Sequence, residues 1–389
     1  MRRLVWLLAL VVVVAGCATP RGAPGAMADL QPGQRPPADS DEAGLWMQMD
    51  RVEERLRGSG RLLTDDAVRG YLREILCRLA PEHCADVRLY VVQTPHFNAT
   101  MGPNGVMEVW TGLMLRADNE AQLAYVLGHE LGHYLRRHSI QRWRDVRTKT
   151  NVVAVFSLLA AAAGHGYVGP LAQLAALGSI LAFSRDNERE ADEIGFELMA
   201  RAGYDPREAA KIWEALDEER KAGDESAPPI FFSTHPPTDE RIETLKALAA
   251  RTWTAEREWT DGRERYRRVL RPLRQALLRD ELRRRDFART EKLLDRLLAA
   301  EAGSGELRFF QGELYRLRQK DGDEARAVEA YEQALAAGDA PPETNRALGL
   351  VWMRRGDRER ARAAFHRYVT DAPAAEDRAM IDSYLEQLR

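Results

Sequence analysis

The stretch "VLGHELGHYLRRH" (residues 126–138) contains side chains that can bind a metal ion and use it. His129 and His133 are four residues apart, and this spacing places two side chains on one face of a helix. Glu130 lies about 100° around the helix from His129, beside the expected metal position rather than on it. The pattern predicts zinc-dependent hydrolysis, in which zinc lowers the pKa of a water molecule and Glu130 accepts its proton.

A catalytic zinc ion needs a third protein ligand, and candidates are found in "FSRDNEREADEIGFELMA" (residues 183–200). Glu188 and Asp192 are four residues apart on one predicted helix face. One carboxylate could bind the metal while the other accepts the second N–H of a ligand histidine. Helical geometry leaves open which carboxylate has which role. Ala191 and Gly195 are small residues that would permit close helix packing.

The elements around these motifs predict a mainly helical (α+β) fold with a small β-sheet. Residues 41–58 and 64–80 have helical spacing, and residues 87–93 are rich in β-branched residues typical of a strand. A second strand is predicted around residues 106–110, where "VMEVW" could bind an extended peptide at a sheet edge. His138, five residues after His133, is predicted to lie off the metal face and to be structural.

The N-terminal residues predict export. A basic "MRR" and a 12-residue apolar stretch end in "VAGC", which resembles a bacterial lipobox. Residues 1–16 are thus predicted to be a signal peptide and Cys17 to be lipidated; the alternatives are a simple cleaved signal or an uncleaved anchor. The residue after Cys17 is Ala18. By resemblance to lipoprotein sorting in enterobacteria, this residue predicts that the lipoprotein is retained at the outer membrane. Residues 17–40, rich in proline, are predicted to form a flexible tether.

Cys77 and Cys84 are predicted to form a disulfide, because an exported chain meets an oxidising compartment. The alternative is two free thiols. Residues 152–182 are strongly apolar and predict a helical hairpin, although neither arm is long enough for a transmembrane helix. The hairpin would either contact lipid or cover the active site, or else consist of ordinary core helices.

A repeat is visible near the C-terminus. Segments beginning at Gly322 and Gly356 align with an offset of 34 residues, and Tyr331 aligns with Phe365. This period is typical of tetratricopeptide repeats, which we predict for residues 256–389 after a peptidase domain over residues 41–252. The net charge of −3 gives no electrostatic case for nucleic acid binding.

Four motifs in order, "NEAQLAYVLGHELGHYLRRH", "FSRDNEREAD", "AGYDP" and "STHPPTDERI", resemble the Ste/HtpX-type zinc metallopeptidases. That family includes CAAX prenyl proteases and a periplasmic branch with tetratricopeptide repeats. The resemblance implies that His129, His133 and Glu188 bind one zinc ion. It further implies that Glu130 is the general base and that Asp192 supports a ligand from the second shell.

The last motif adds two residues by the same resemblance. His235 and Arg241 are expected to approach the active site and to stabilise the oxyanion, or His235 instead binds zinc in a latent state. The family's "NAF"-like turn reads "NAT" at residues 98–100, a departure at the substrate cleft.

The predicted function is that of a zinc metalloendopeptidase, an outer-membrane lipoprotein facing the periplasm that cleaves misfolded or misassembled envelope proteins. Its repeats would recruit substrates or an outer-membrane assembly machine, and membrane contact would come from the lipid anchor and the hairpin. The alternative is a repeat-based scaffold or chaperone with a latent peptidase site. A prenyl-type integral membrane protease is disfavoured by the lipobox and by the lack of long apolar spans.

Overall fold

A computed structural model describes residues 27–149, 182–223, 230–236 and 239–389. The predicted signal peptide, Cys17 and all but the last residue of the predicted apolar hairpin (residues 152–182) lie outside the described residues. Among the described helices, none is long and apolar enough to cross a membrane. The predicted fold class is confirmed, since helices surround one small sheet.

The peptidase part of the chain is built from nine helices and three strands among the described residues, and a series of helices follows it. In chain order the elements are α1 Asp41–Arg57, α2 Asp66–Leu79, β1 Arg88–Val92, β2 Ala99–Met101, β3 Val106–Trp110, α3 Thr111–Arg116, α4 Glu120–Leu135, α5 His138–Lys149, α6 Arg185–Arg201, α7 Glu208–Ala222, α8 Phe231–Thr234, α9 Asp239–Thr252, α10 Arg263–Arg283, α11 Phe287–Ala300, α12 Gly305–Arg318, α13 Asp323–Ala337, α14 Glu343–Arg354, α15 Arg358–Asp371 and α16 Arg378–Gln387.

The sheet has the order β1-β3-β2, so β3 is its central strand. β3 is parallel to β1 and antiparallel to β2. The prediction that "VMEVW" provides an edge for a substrate peptide is therefore wrong. The reason is the tight turn between β2 and β3, in which Gly105 has φ +86° and the Gly102 N–H donates to the Val106 carbonyl at 2.7 Å. This turn folds β2 onto β3, and β2 becomes the edge strand.

Helices α4 and α6 pack unusually closely. An added Cβ at Gly195 would lie 2.6 Å from the backbone nitrogen of His129, and one at Gly128 would lie 3.0 Å from the Gly195 carbonyl oxygen. A Cβ at Gly132 would similarly lie 3.0 Å from Cα of Ala191. The small residues thus let the two backbones touch, and the carboxylates of α6 are brought to the histidines of α4.

The segment before α1 is held against the peptidase domain. Leu30 is buried, and its N–H donates to the Leu135 carbonyl at 2.9 Å. Asp29 forms an ion pair with Arg136 at 2.5 Å. The predicted flexible tether of residues 17–40 is therefore corrected for its second half, because burial of Leu30 and these contacts fix the segment to the end of α4.

Cys77 and Cys84 are joined by a disulfide, with their Cα atoms 4.7 Å apart. The bond links the end of α2 to the 3₁₀ turn Pro81–His83 that follows it. The chain turns at Pro81, which brings the two cysteines together, and the predicted disulfide is present.

The C-terminal region is a series of helices in which α12 packs with α13 and α14 with α15 as helical hairpins, while α11 packs between α7 and α12. Tyr331 and Phe365, the residues aligned by the 34-residue offset, are both fully buried. Each ring packs against a glycine of the preceding helix, since a Cβ at Gly312 would lie 2.4 Å from Tyr331 and one at Gly349 would lie 2.5 Å from Phe365.

A buried ion cluster joins the hairpins to the peptidase part. Arg116 of α3 donates to Glu219 of α7 at 2.7 Å and to Glu281 of α10 at 2.9 Å. The three side chains are at most 3% exposed. Removing one partner of such a cluster leaves a buried charge uncompensated, so the cluster ties the two parts together.

We expect Gly195→Ala to lower the melting temperature and the zinc content of the protein. The added methyl group would collide with the α4 backbone, and overpacking of this kind costs about 1–3 kcal/mol. Thermal unfolding and metal analysis measure the effect. Gly70→Ala is the matched control, because Gly70 lies in α2 with open space around it and should gain stability from the better helix propensity of alanine. Equal behaviour of the two variants would contradict the close-packing account.

Candidate metal centre

Helix α4 carries the metal-binding pattern into the protein core. Asn119 caps its start by accepting from the Gln122 N–H at 3.0 Å. All residues from 120 to 134 are buried, which is expected of a helix surrounded by protein on every side. His129, Glu130 and His133 are therefore at most 2% exposed.

Four side chains point their donor atoms at one another. His129, His133, Glu188 and His235 each offer one ligand atom, and these atoms all lie within 4.8 Å of one another. Nε2 of His129 lies 3.2 Å from Nε2 of His133 and 3.3 Å from Nδ1 of His235. Oε1 of Glu188 lies 3.4 Å from Nε2 of His133 and 3.0 Å from Nδ1 of His235.

These separations fit a tetrahedral zinc ion. With zinc–ligand bonds of about 2.0–2.2 Å, the edges of the coordination tetrahedron measure roughly 3.3–3.6 Å. Three imidazoles and one carboxylate are also the ligand types that zinc accepts. His129, His133 and Glu188 meet here as the family resemblance implies, and of the two positions expected for His235 the structure has the one among the donors.

His235 follows the short helix α8 and is held by aromatic rings. The ring of Phe231 is stacked on it, with centroids 4.3 Å apart and an interplanar angle of 11°. Phe183 lies 5.4 Å away, and its N–H donates to the Thr234 carbonyl at 3.1 Å. His235 is 2% exposed, so in this conformation it closes the centre.

Glu130 lies beside the four donors rather than among them. Its Oε1 lies 3.5 Å from Nε2 of His235 and makes no hydrogen bond to the described protein. Burial raises the pKa of the Glu130 carboxyl, although His235 and His129 oppose the effect. A carboxylate with an elevated pKa next to a metal position is suited to accept and return a proton.

Asp192 supports His129 from behind. Its Oδ1 lies 3.0 Å from Nδ1 of His129, the nitrogen that does not point at the other donors. Tyr125 donates its hydroxyl to the same oxygen at 2.7 Å, and Trp213 donates to the Tyr125 oxygen at 3.1 Å. Burial alone would raise the pKa of Asp192, but Arg241 holds it well below its usual range. The carboxylate therefore stays charged and orients the imidazole.

Arg241 binds both carboxylates of α6. Its Nε and Nη2 donate to Asp192 at 2.6 and 2.8 Å, and its Nη1 lies 2.8 Å from Oε2 of Glu188. The oxyanion role predicted for Arg241 is not the arrangement seen here, because all three nitrogens are directed to these side chains. Arg241 is a positioning residue that holds Glu188 and Asp192 in place.

His138 supports His133 in the same manner. Its Nδ1 lies 3.0 Å from Nδ1 of His133, and its Nε2 lies 3.0 Å from Oε2 of Glu190. The spacing of five residues did not reveal this contact because α4 ends at Leu135, and the chain turns back through Arg137 at φ +58°.

Tyr125 and Trp213 were also missed. Tyr125 lies within the motif "NEAQLAYVLGHELGHYLRRH" but was assigned no role, and Trp213 belongs to none of the four motifs. The one signal in the sequence was that Tyr125 lies four residues before His129, on the same helix face. Trp213 is on a different helix, and only the packing of α7 against α4 brings it close.

Comparisons with known proteins agree with this site. The model of peptidase family M48 matches residues 66–249. The chain is 31% identical over 222 residues to the beta-barrel assembly-enhancing protease of Escherichia coli strain K12, covering 53% of this chain and 44% of that protein. It is 35% identical over 181 residues to the mitochondrial metalloendopeptidase OMA1 of Schizosaccharomyces pombe, covering 45% of this chain and 51% of that protein.

The chain spans about half the length of these relatives. The match includes all the donors of the centre together with Glu130, Asp192 and Arg241, and the resemblance drawn from the four motifs is confirmed. Residues 66–249 therefore form a domain that is similar to peptidase family M48, and the two relatives named here are a protease and a metalloendopeptidase.

Proposed function

We propose that this protein is a zinc-dependent endopeptidase. The observation that carries the proposal is the buried group of His129, His133, Glu188 and His235 with the Glu130 carboxylate beside it. Zinc bound there would polarise a peptide carbonyl and lower the pKa of a water molecule. Glu130 would accept the proton from that water and deliver it to the leaving amine. Asp192, Arg241 and His138 hold the ligands in place.

His235 determines whether the centre is open. Catalytic zinc sites generally use three protein ligands and leave a fourth position for substrate or water. With His235 among the donors, the arrangement supports the latent state that the family resemblance suggested. Withdrawal of His235 would free the fourth position, and its imidazole could then face the developing negative charge on the substrate.

Strand β2 is the proposed site of substrate backbone pairing. It is the sheet edge bordering the cleft that reaches Glu130, since Thr100, Met101 and Gly102 all line that cleft. An extended peptide would add to this edge by main-chain hydrogen bonds, which tolerate many sequences. Unfolded segments would therefore be accepted, whereas folded proteins would not.

For the whole protein we propose an outer-membrane lipoprotein, anchored through Cys17 and facing the periplasm, that degrades misfolded or misassembled envelope proteins. The name of the Escherichia coli relative, which refers to beta-barrel assembly, supports this setting. The helical hairpins after residue 262 would act as tetratricopeptide repeats that recruit substrates or an assembly machine. A second candidate is a scaffold or chaperone with a latent site, favoured by the closed donor set.

We expect Glu130→Gln to retain zinc and to lose at least about a hundredfold of its casein-cleaving activity, because the general base is removed while the ligands stay. Fluorescent casein cleavage and metal analysis measure both properties. Glu193→Gln is the control, since Glu193 is an exposed carboxylate of α6. Undiminished cleavage by Glu130→Gln would overturn the proposed catalytic assignment.

We expect His235→Ala to cleave casein several-fold faster than the parent while still binding zinc, because three protein ligands remain and the fourth position opens. Initial rates at equal zinc loading test this. If His235→Ala is slower than the parent, His235 acts on the substrate rather than as a latch.

We expect chelation of the metal to lower the melting temperature of the parent, since a ligand that binds only the native state stabilises it. The effect should be reversed by added zinc and should be small in His129→Ala. Thermal unfolding with and without a chelator measures it. An unchanged melting temperature of the parent would contradict metal binding at this centre.

A further inference from the structure

We infer that helix α1 forms one wall of a specificity pocket that accepts a large apolar side chain of the substrate. The inference rests on the proposed peptidase function. It adds a substrate class to it, namely peptides with leucine, methionine or phenylalanine next to the bond that is cleaved. Helix α1 precedes residue 66, where the M48 match begins, so the wall comes from outside the family domain.

The pocket is a cleft of about 330 Å³ that extends to Glu130 and His235. A volume of this size is large enough for a bulky side chain and part of the adjoining backbone. Most of its lining is apolar. Leu45, Met49 and Val52 of α1 line one side. Met101 and Val106 of the sheet region and Trp143 of α5 line the other side.

Three apolar residues of α1 are aligned along the pocket. Leu45, Met49 and Val52 have the spacing i, i+4 and i+7, which places them in one stripe on the helix. All three are half-buried, so apolar area remains for a ligand to cover. Met47, on another face of the same helix, is 57% exposed and does not line the cleft.

Helix α1 is fixed at both ends, which makes it a suitable wall. At its start, Asp41 forms an ion pair with Arg144 of α5 at 2.8 Å, and Glu42 forms one with Arg137. At its end, Leu56 packs in a small cluster against the sheet. The apolar stripe between these two attachments is therefore held in front of the cleft.

The acidic groups of the lining are not suited to attract a charged ligand. Glu53 is engaged by Arg88 at 2.7 Å and by the Tyr90 hydroxyl at 2.6 Å. Glu108 accepts from the Trp110 indole at 3.3 Å, and burial raises the pKa of its carboxyl. Arg142 also lines the cleft. With apolar groups dominating, an uncharged apolar side chain gains most from entering, since its area leaves water.

The path of the substrate places a side chain in this pocket. Met101, at the end of edge strand β2, is part of the pocket lining, and the same cleft extends to Glu130. A peptide paired with β2 would be extended, so alternate side chains would point toward the cleft. One of them would occupy the pocket while the neighbouring peptide bond lies at the metal centre.

The test measures peptide binding without cleavage. Two fluorescent peptides that are identical except for one central residue, leucine or serine, are titrated into the zinc-loaded Glu130→Gln protein, and Kd is measured by anisotropy. We expect the leucine peptide to bind about tenfold more tightly. Met49→Lys, added to this protein, should bring the ratio of the two Kd values close to one, whereas Met47→Lys should leave it unchanged.

Val52→Thr alters polarity with little change of shape and should also bring the ratio of the two Kd values closer to one. Melting temperatures show that each variant is folded. Equal or undetectable binding of the two peptides, or a ratio that Met49→Lys and Met47→Lys change equally, would overturn the inference. Casein cleavage by the parent tests the proposed peptidase function separately, so the two can fail independently.

Discussion

The close contact between α4 and α6 is the constraint on which the metal centre depends. Glu188 belongs to α6 and His129 to α4, and their donor atoms lie 3.6 Å apart. In this structure the two backbones that carry these side chains are in direct contact. Gly128 and Gly195 make this possible, because a Cβ at Gly195 would lie only 2.6 Å from the facing backbone nitrogen. The glycines cost some helix propensity, and in return three of the four donors, His129, His133 and Glu188, come from two rigid helices.

This arrangement concentrates charge in the core. Asp192, Glu188 and Arg241 are each at most 6% exposed, and burying such groups is favourable only when every partner is present. Arg241 balances the two carboxylates, and the histidines are oriented in turn by Asp192 and His138. The network accounts for how the centre keeps its shape, and it explains why the ligands depend on residues that never reach the metal position.

The same region is also arranged to limit access. His235 lies among the donors and reaches them from α8, an element separate from the two helices that carry the other ligands. The cleft that leads to Glu130 is bounded on one side by α1, which is attached by ion pairs at its start and by Leu56 at its end. The donors thus lie within the residues that match the family, while the wall of the cleft formed by α1 lies outside them.

The sequence by itself determined the local features. Helical spacing placed His129, Glu130 and His133 correctly, because it depends on interactions within a few residues. The pairing of Cys77 with Cys84 followed from the oxidising compartment that an exported chain meets. Tertiary structure decided the rest. Which strand forms the sheet edge, where the guanidinium of Arg241 points, and which of its two expected positions His235 takes all depend on contacts between segments far apart in the chain. Such contacts arise from packing, and residue spacing along one element does not specify them.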